Sequence, residues 1–467
     1  MTESSVRAPG PQSTPARGPG ALLVASGAAF LAFLDLSVVN IAFPSLARDH
    51  PATSPTTLTW VVSGYAVAFA ALLTPGGRIA DAAGRRTVFL TALVGFALTS
   101  LLCGLAPNAG LLIAARVAQG ATAALMVPSA LGALLAVTPR ARIGGAIAAW
   151  SAAGGFAAVV GPALGGALVE LFGWRSIFVI NVPIALALAG LAFRILEPDT
   201  EQRRGALPDP VGTIMLAAGL GGLVAGLTEG QRWGWTAPGT LGTLGLGALL
   251  TLAALRRSLR HPNPSLAVDL WRNRSFALAN AASFTFGAAM FAWLLAGPMF
   301  LDAMWGYSVL GSAAALSVGA VSSMVTATLT GRVTAPGPRR WTGVLGVLMF
   351  LATLAWMSTE MFGPTPALWS AWIPAGILGG GGVGIVVTVL GATAANALPP
   401  HRFAAGTGMN LTARQLGGAL GIAVLAAVLA AHPGDPLAGF HTLFLLCAGF
   451  AAVSACLIAV PSRQESI

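Results

Sequence analysis

Long apolar runs alternate with short polar breaks along the chain, and the breaks hold nearly all of the charge. A helix crosses the hydrocarbon of a bilayer with about 20 mostly apolar residues. Fourteen stretches meet that need, at approximately 20–44, 57–78, 87–107, 110–137, 143–169, 174–196, 211–229, 237–256, 276–301, 308–331, 341–361, 367–398, 403–431 and 439–460. Backbone groups in lipid must be bonded within their own segment, so each run is expected to be helical. The pattern predicts an all-α membrane protein with 14 transmembrane spans.

Composition removes the alternative of several soluble domains. Of 467 residues, 56% are hydrophobic and 9% charged, whereas soluble domains carry about 25% charged residues. Residues 1–19 are polar and Pro-rich and read as a disordered cytoplasmic tail. They lack a short apolar core followed by a small-residue cleavage site, so no signal peptide is expected. Residues 461–467 read as a second cytoplasmic tail. Cys103, Cys447 and Cys456 lie in apolar stretches without ligand spacing, which argues against a disulfide frame or a metal site.

The net charge of +10 comes entirely from arginine, since the chain has no lysine. No basic run carries interleaved aromatics, so a nucleic-acid partner is not expected. The charge instead sets orientation. With the N-terminus in the cytoplasm, Arg48, Arg175 and Arg232 fall outside, Arg116 and Arg414 fall inside spans, and the other twenty arginines fall on the cytoplasmic side. Cytoplasmic excess of arginine orients helices during insertion. Both termini are therefore expected in the cytoplasm of a multi-pass protein of the cell membrane.

A weak internal repeat organises the spans. Gly77–Arg86 after span two has a counterpart in Gly331–Arg340 after span ten, at an offset of 254. Arg142 and Gly161 match Arg402 and Gly421 at an offset of 260. Spans one to six thus correspond to spans nine to fourteen. The expected organisation is a six-helix bundle at 20–196, two inserted helices with cytoplasmic linkers at 197–275, and a second six-helix bundle at 276–460. Two such repeats around a central cavity suit alternating access.

The motifs narrow the class. Gly77, Asp81, Gly84, Arg85 and Arg86 form a cytoplasmic loop that resembles the signature loop of the major facilitator superfamily. Its glycines permit a tight turn, and Asp81 can accept bonds from arginines and from a helix N-terminus. An ordinary arginine-bearing loop explains Arg85 and Arg86 but not the spacing of the glycines and the acid. The second copy has Ala335 in place of the acid. Gly161, Pro162, Gly165 and Gly166 in span five resemble the antiporter motif of drug exporters, with Ala157 replacing its first glycine. Plain small-residue packing between helices is the competing reading.

Together with Leu34–Pro44 and Trp174–Pro183, these motifs resemble the fourteen-spanner drug:proton antiporter family over about residues 20–460. The resemblance implies a major facilitator fold of two six-helix bundles plus two extra helices. It also implies a latch that closes the cytoplasmic side through the Asp81 loop. Members generally work as monomers, without a cofactor.

Ionisable groups at membrane depth are costly and usually functional. Asp35, Arg116 and Arg414 lie convincingly within apolar stretches, and Asp35 is the sole carboxylate among them. A carboxylate that meets first an apolar and then a watery surrounding can take up and release a proton. The competing reading is an aspartate held permanently ionised by a structural arginine. Arg116 sits in an Arg-x-x-Gln-Gly element that the resemblance implicates in proton transfer; it keeps its own proton, so its expected role is to tune Asp35. Glu229, Asp302 and Glu360 lie near span ends and are expected in water. Tyr65, Gln119, Trp150, Phe286, Met290, Trp293, Asn410 and Arg414 are the candidates for lining a substrate cavity, with helix packing the alternative for each.

The leading functional expectation is a proton-driven antiporter that exports amphipathic drugs, antibiotics or toxic metabolites. Its partners would be the small organic substrate, protons and the lipid bilayer. The alternative is a transporter of lipids or lipid precursors, because an apolar cavity accepts both. An enzyme is not expected, since no metal-ligand cluster or nucleophile–base pair shares one depth. The absence of a Walker-type lysine excludes ATP-driven export.

Overall fold

The computed structural model describes residues 17–53, 55–199, 206–333, 335–432 and 434–461. Its helices are α1 (Arg17–Asp49), α2 (Trp60–Ala83), α3 (Arg85–Leu105), α4 (Ala109–Val137), α5 (Ile143–Phe172), α6 (Asn181–Ile195), α7 (Pro210–Trp233) and α8 (Pro238–Ser258). They continue with α9 (Arg274–Trp305), α10 (Val309–Thr330), α11 (Pro336–Met357), α12 (Ile373–Asn396), α13 (Phe403–Ala431) and α14 (Pro436–Ala459). A short helical turn, Ser176–Val179, leads into α6, and a π-helical turn, Leu368–Trp372, leads into α12. Among the described residues, 12 helices are long and apolar enough to cross a membrane. Helices α5 and α10 stand in the same bundle beside them.

The tails expected at the chain ends lie largely outside the described residues. The exception is a correction: Arg17–Pro19, assigned by sequence to the first tail, already belong to α1. The first turn of a helix has amides without an intrahelical partner, so a proline there forfeits no bond and the helix can start before the apolar run does.

Short polar caps mark where five of the helices begin. Asn108 accepts from the Leu111 amide, Asp209 from Val211 and Gly212, Asn273 from Ser275 and Phe276, Ser308 from Gly311, and Asp435 from Ala438. Each supplies an oxygen to amides that have no partner inside the helix. Gly84 turns α2 into α3 at φ 105°, a conformation that favours glycine.

Packing divides the helices into groups. Helix α1 packs on α5, α2 on α4, and α3 on α4 and α6; in the same way α9 packs on α13, α10 on α12, and α11 on α12 and α14. The two groups meet along α2 with α13 and along α5 with α10. Helices α7 and α8 pair with each other, and α7 lies against both α2 and α13. The α7–α8 seam is close: a Cβ on Gly219 would stand 2.6 Å from the Thr251 amide nitrogen. Leu216, Leu220 and Val224 carry α7 onto Ala70, Ala71, Leu416 and Ala419 of the two groups.

The four-glycine run Gly379–Gly382 sits in α12 where helices approach. A Cβ on Gly380 would lie 2.0 Å from the Gly319 carbonyl oxygen of α10, and one on Gly382 2.5 Å from that of Gly346 on α11. Small residues at such crossings allow van der Waals packing of backbones, which drives helix association in lipid.

Candidate functional site

Helices α1, α3, α4 and α6 bring five polar side chains to one dry point. Asp35, Arg116, Gln119, Asn181 and Ser100 are all 0% exposed. Arg116 Nη1 donates to Asp35 Oδ2 at 2.5 Å and to Gln119 Oε1 at 2.7 Å. Asp35 Oδ1 accepts from Gln119 Nε2 at 3.0 Å and from Asn181 Nδ2 at 2.8 Å. Both amides also donate to Ser100 Oγ, at 3.0 and 3.1 Å, and the Ser100 hydroxyl donates to the Phe178 carbonyl at 2.8 Å.

The arginine is held on its other sides as well. Its Nε donates to the Val61 carbonyl at 2.8 Å, and its guanidinium lies 4.3 Å from the centre of the Tyr65 ring. Tyr65 in turn donates to the Ala32 carbonyl at 3.1 Å. Buried polar groups of this kind stand only when nearly every donor and acceptor is matched. Two atoms remain without a partner among the described residues, Arg116 Nη2 and Asn181 Oδ1. Asp35 thus accepts three hydrogen bonds, one on Oδ2 and two on Oδ1.

The glycine motif of α5 packs immediately beside this point. A Cβ on Gly161 would fall 1.8 Å from Ser37 Oγ, two residues past Asp35, and one on Gly165 would meet Val38 at 3.2 Å. Gly166 is half-buried, and the side chain of Pro162 lies outside the described part. The α5 backbone therefore lies directly against the segment of α1 that carries Asp35.

A second site joins the two groups of helices. Asp81, at the end of α2, accepts from Arg85 Nε at 2.8 Å and from the amides of Ala404 and Ala405 at 3.3 and 2.7 Å. Those amides open α13, where unpaired N–H groups and the helix dipole favour an anion. Arg85 also donates to the Gly132 carbonyl at 3.1 Å and to that of Pro400 at 2.5 Å. Gly77 lies where a Cβ would stand 2.2 Å from the Ala404 carbonyl oxygen. Arg86 turns the other way and donates to the Phe193 carbonyl of α6 at 2.7 Å. The corresponding loop of the second group has no carboxylate; there Gly331 meets Gly145 of α5, its would-be Cβ 2.7 Å from the Gly145 Cα.

The cavity candidates separate into distinct surroundings. Tyr65 and Gln119 belong to the Asp35–Arg116 point. Trp150 is buried in the core of the first group, its Nε1 without a partner among the described residues. Phe286 and Met290 are buried in the core of the second group. Asn410 donates to Ser283 Oγ at 2.9 Å. Trp293 lines a cleft between α9, α10, α11 and α12 with Leu316, Gly319, Met357, Trp372 and Gly376. Arg414 is half-buried.

One sequence reading is corrected. Glu229, expected in water at a span end, is 2% exposed and paired with Arg232, which also reaches Thr59. Arg232, one turn further along α7, supplies the neutralising charge. Asp302 and Glu360 are exposed. Sequence reasoning missed Asn181 as a partner of Asp35 and Ser100 as the hydroxyl that binds the two amides. An asparagine within an apolar run was a usable signal for the first, whereas serine is too common in such helices to stand out.

Comparison with known proteins follows the same lines. The family model described as Major Facilitator Superfamily matches residues 25–422. The puromycin resistance protein pur8 of Streptomyces alboniger is 33% identical, over 95% of this chain and 92% of that protein. The multidrug resistance protein Stp of Mycobacterium tuberculosis is 33% identical, over 88% of this chain and 75% of that protein. Among solved structures, the human organic anion transporter MFSD10 (TETRAN) shares the fold with a TM-score of 0.69 at 15% identity, over 95% of this chain and 100% of that one.

Proposed function

This chain belongs to the Major Facilitator Superfamily, a family of transporters rather than enzymes, and from that premise we propose that it is a proton-coupled antiporter exporting amphipathic drugs, antibiotics or toxic metabolites. Its relatives carry names of drug and antibiotic resistance. The observation that carries the coupling is the sealed carboxylate: Asp35 is fully buried and closed in by Arg116, Gln119 and Asn181. A proton carrier needs a group that is shut off in one conformation and opened in another.

In this reading the chain crosses the membrane fourteen times, with α5 and α10 completing the set of 12 apolar helices. Both termini are cytoplasmic, and 20–196 and 276–460 rock against each other with 197–275 beside them. The Asp81 contact to the start of α13 ties the halves on the arginine-rich, cytoplasmic face and favours the outward-open form. Opening that face parts Asp81 from α13, and the accompanying shift of α5 against α1 loosens the donors around Asp35. The carboxylate then releases its proton to the cytoplasm as substrate enters, and takes up another from outside when the opposite face opens and substrate leaves. With one such site, a neutral substrate exchanges for one proton, because one carboxylate releases one proton per cycle.

The test uses inside-out membrane vesicles and a panel of acidic, neutral and basic amphipathic dyes. Imposing a pH gradient, acid inside, is expected to drive accumulation of at least one class, and collapsing the gradient to abolish it. Accumulation that ignores the gradient would reject proton coupling.

A further inference from the structure

The charges at membrane depth do not balance. Asp35 is matched by Arg116 at 2.5 Å. Arg414, eleven residues into α13, has no hydrogen-bond acceptor or carboxylate against it among the described residues. It sits near the middle of α13, and it keeps part of its surface open where Arg116 is fully enclosed. Ionisable side chains within membrane spans almost always face the interior of the bundle or a water-filled cavity.

The backbone of α13 is closely packed here. A Cβ on Gly287 of α9 would lie 2.4 Å from the Arg414 carbonyl oxygen, so the two backbones touch there. One turn earlier on the same face Asn410 is bound to Ser283, and one turn later the ring of Phe291 lies against Gly418. An unmatched cation in such a setting is strongly unfavourable, and the deficit is removed by an anion of matching geometry. Guanidinium presents a planar fork of donors suited to carboxylates and other oxyanions.

We propose that Arg414 is the counter-charge for an anionic group on the transported compound, so that the cavity selects amphipathic acids such as aromatic carboxylates or sulfonates. The acid group takes the guanidinium, while its apolar body rests on surface of the kind Phe291 provides. The proposal rests on the reading of the chain as an exporter of amphipathic compounds and specifies their charge.

Two dyes with one skeleton test it: 1-anilinonaphthalene-8-sulfonate, an anion, and N-phenyl-1-naphthylamine, which lacks the sulfonate. Binding to full-length protein in nanodiscs of zwitterionic lipid is followed by dye fluorescence, with empty nanodiscs subtracted. Arg414→Gln is expected to weaken the sulfonate roughly tenfold or more and the neutral dye less than about twofold, since a fully desolvated charge pair far outweighs a shared apolar contact. Arg414→Lys should restore part of the loss. Equal losses for both dyes, or none, would overturn the assignment. If the variants fail to fold, the wild-type protein decides: 1-naphthoate should displace the bound sulfonate at roughly one tenth the concentration of 1-naphthalenemethanol or lower, and equal potency would overturn the idea. An anion preference in a protein that ignores the pH gradient would strike proton coupling and leave this proposal standing.

Discussion

The two six-helix groups share a packing scheme but put different chemistry into it. The first buries an ionic point, Asp35–Arg116, ringed by amides and a hydroxyl, and presents Asp81 to its partner. The second fills its core with rings: Phe300 lies 5.3 Å from Phe440, 5.4 Å from Trp305 and 6.1 Å from Phe362. On the arginine-rich face, the first group meets the second through a carboxylate on a helix start, while the repeat-related contact is glycine against glycine. Hydrogen-bonded charges break and remake in discrete steps, whereas close-packed aromatics resist deformation. The difference leaves the first group with bonds that can switch and the second with a stiff apolar core.

The largest effect that bears on this contrast is expected at Asp35. Asp35→Asn keeps size and the approach of Gln119 and Asn181 in part, but it removes titration. Gradient-driven efflux should drop to background while dye binding to the purified protein persists. Robust gradient-driven efflux in that variant would break the assignment of coupling to the first group.

Asp81→Asn comes next. A hydrogen bond to a charged group contributes about 1.5–3 kcal/mol, so transport should slow roughly tenfold, with its pH profile unchanged in shape. A shifted profile would mean that Asp81 titrates in the cycle and is more than a latch. In the second group, Phe300→Ala should destabilise by about 3–5 kcal/mol, read as a lower melting temperature. The surviving folded protein should keep the wild-type proton dependence; a changed dependence would deny the division of labour.

The smallest effect is expected outside the membrane, where Asp209 caps α7 and pairs with Arg257. The hydrogen bond from Arg257, with help from the Gly212 amide, holds the Asp209 carboxyl at about 2, below its ordinary 3.8. Its lowered value stabilises the fold above pH 3.8, and the contribution is lost as pH falls toward 2. Asp209→Asn should therefore lower the melting temperature by a constant small amount from pH 5 to 8, with a gap that closes only below about pH 4. A gap that varies across neutral pH would point to another titrating group in the inserted helices.

Much of this was legible in the residues themselves. That Asp35, Arg116 and Arg414 are the ionisable groups at depth follows from an apolar run too long to end beside any of them. The Gly77–Arg86 spacing singled out Asp81 as a hydrogen-bond acceptor at a helix junction. The amides of Ala404 and Ala405 were invisible, because an unpaired backbone N–H is a property of where a helix starts and of no side chain. Glu229 looked like a solvated span end until packing buried it beside Arg232.

The sequence alone determined the environment and the segments: a charge fraction too low for a water-facing surface, and apolar runs of spanning length. It also placed the half-repeat, since the same turn chemistry recurs at a fixed offset. Only the tertiary structure decided which polar groups find each other. Asn181 reaches Asp35 across 146 residues of sequence and reaches Ser100 across 81, and Arg414 is left unmatched among the described residues. Periodicity and composition act along the chain within a turn or two of helix, whereas charge pairing and desolvation are settled by neighbours that only packing brings within a few ångströms.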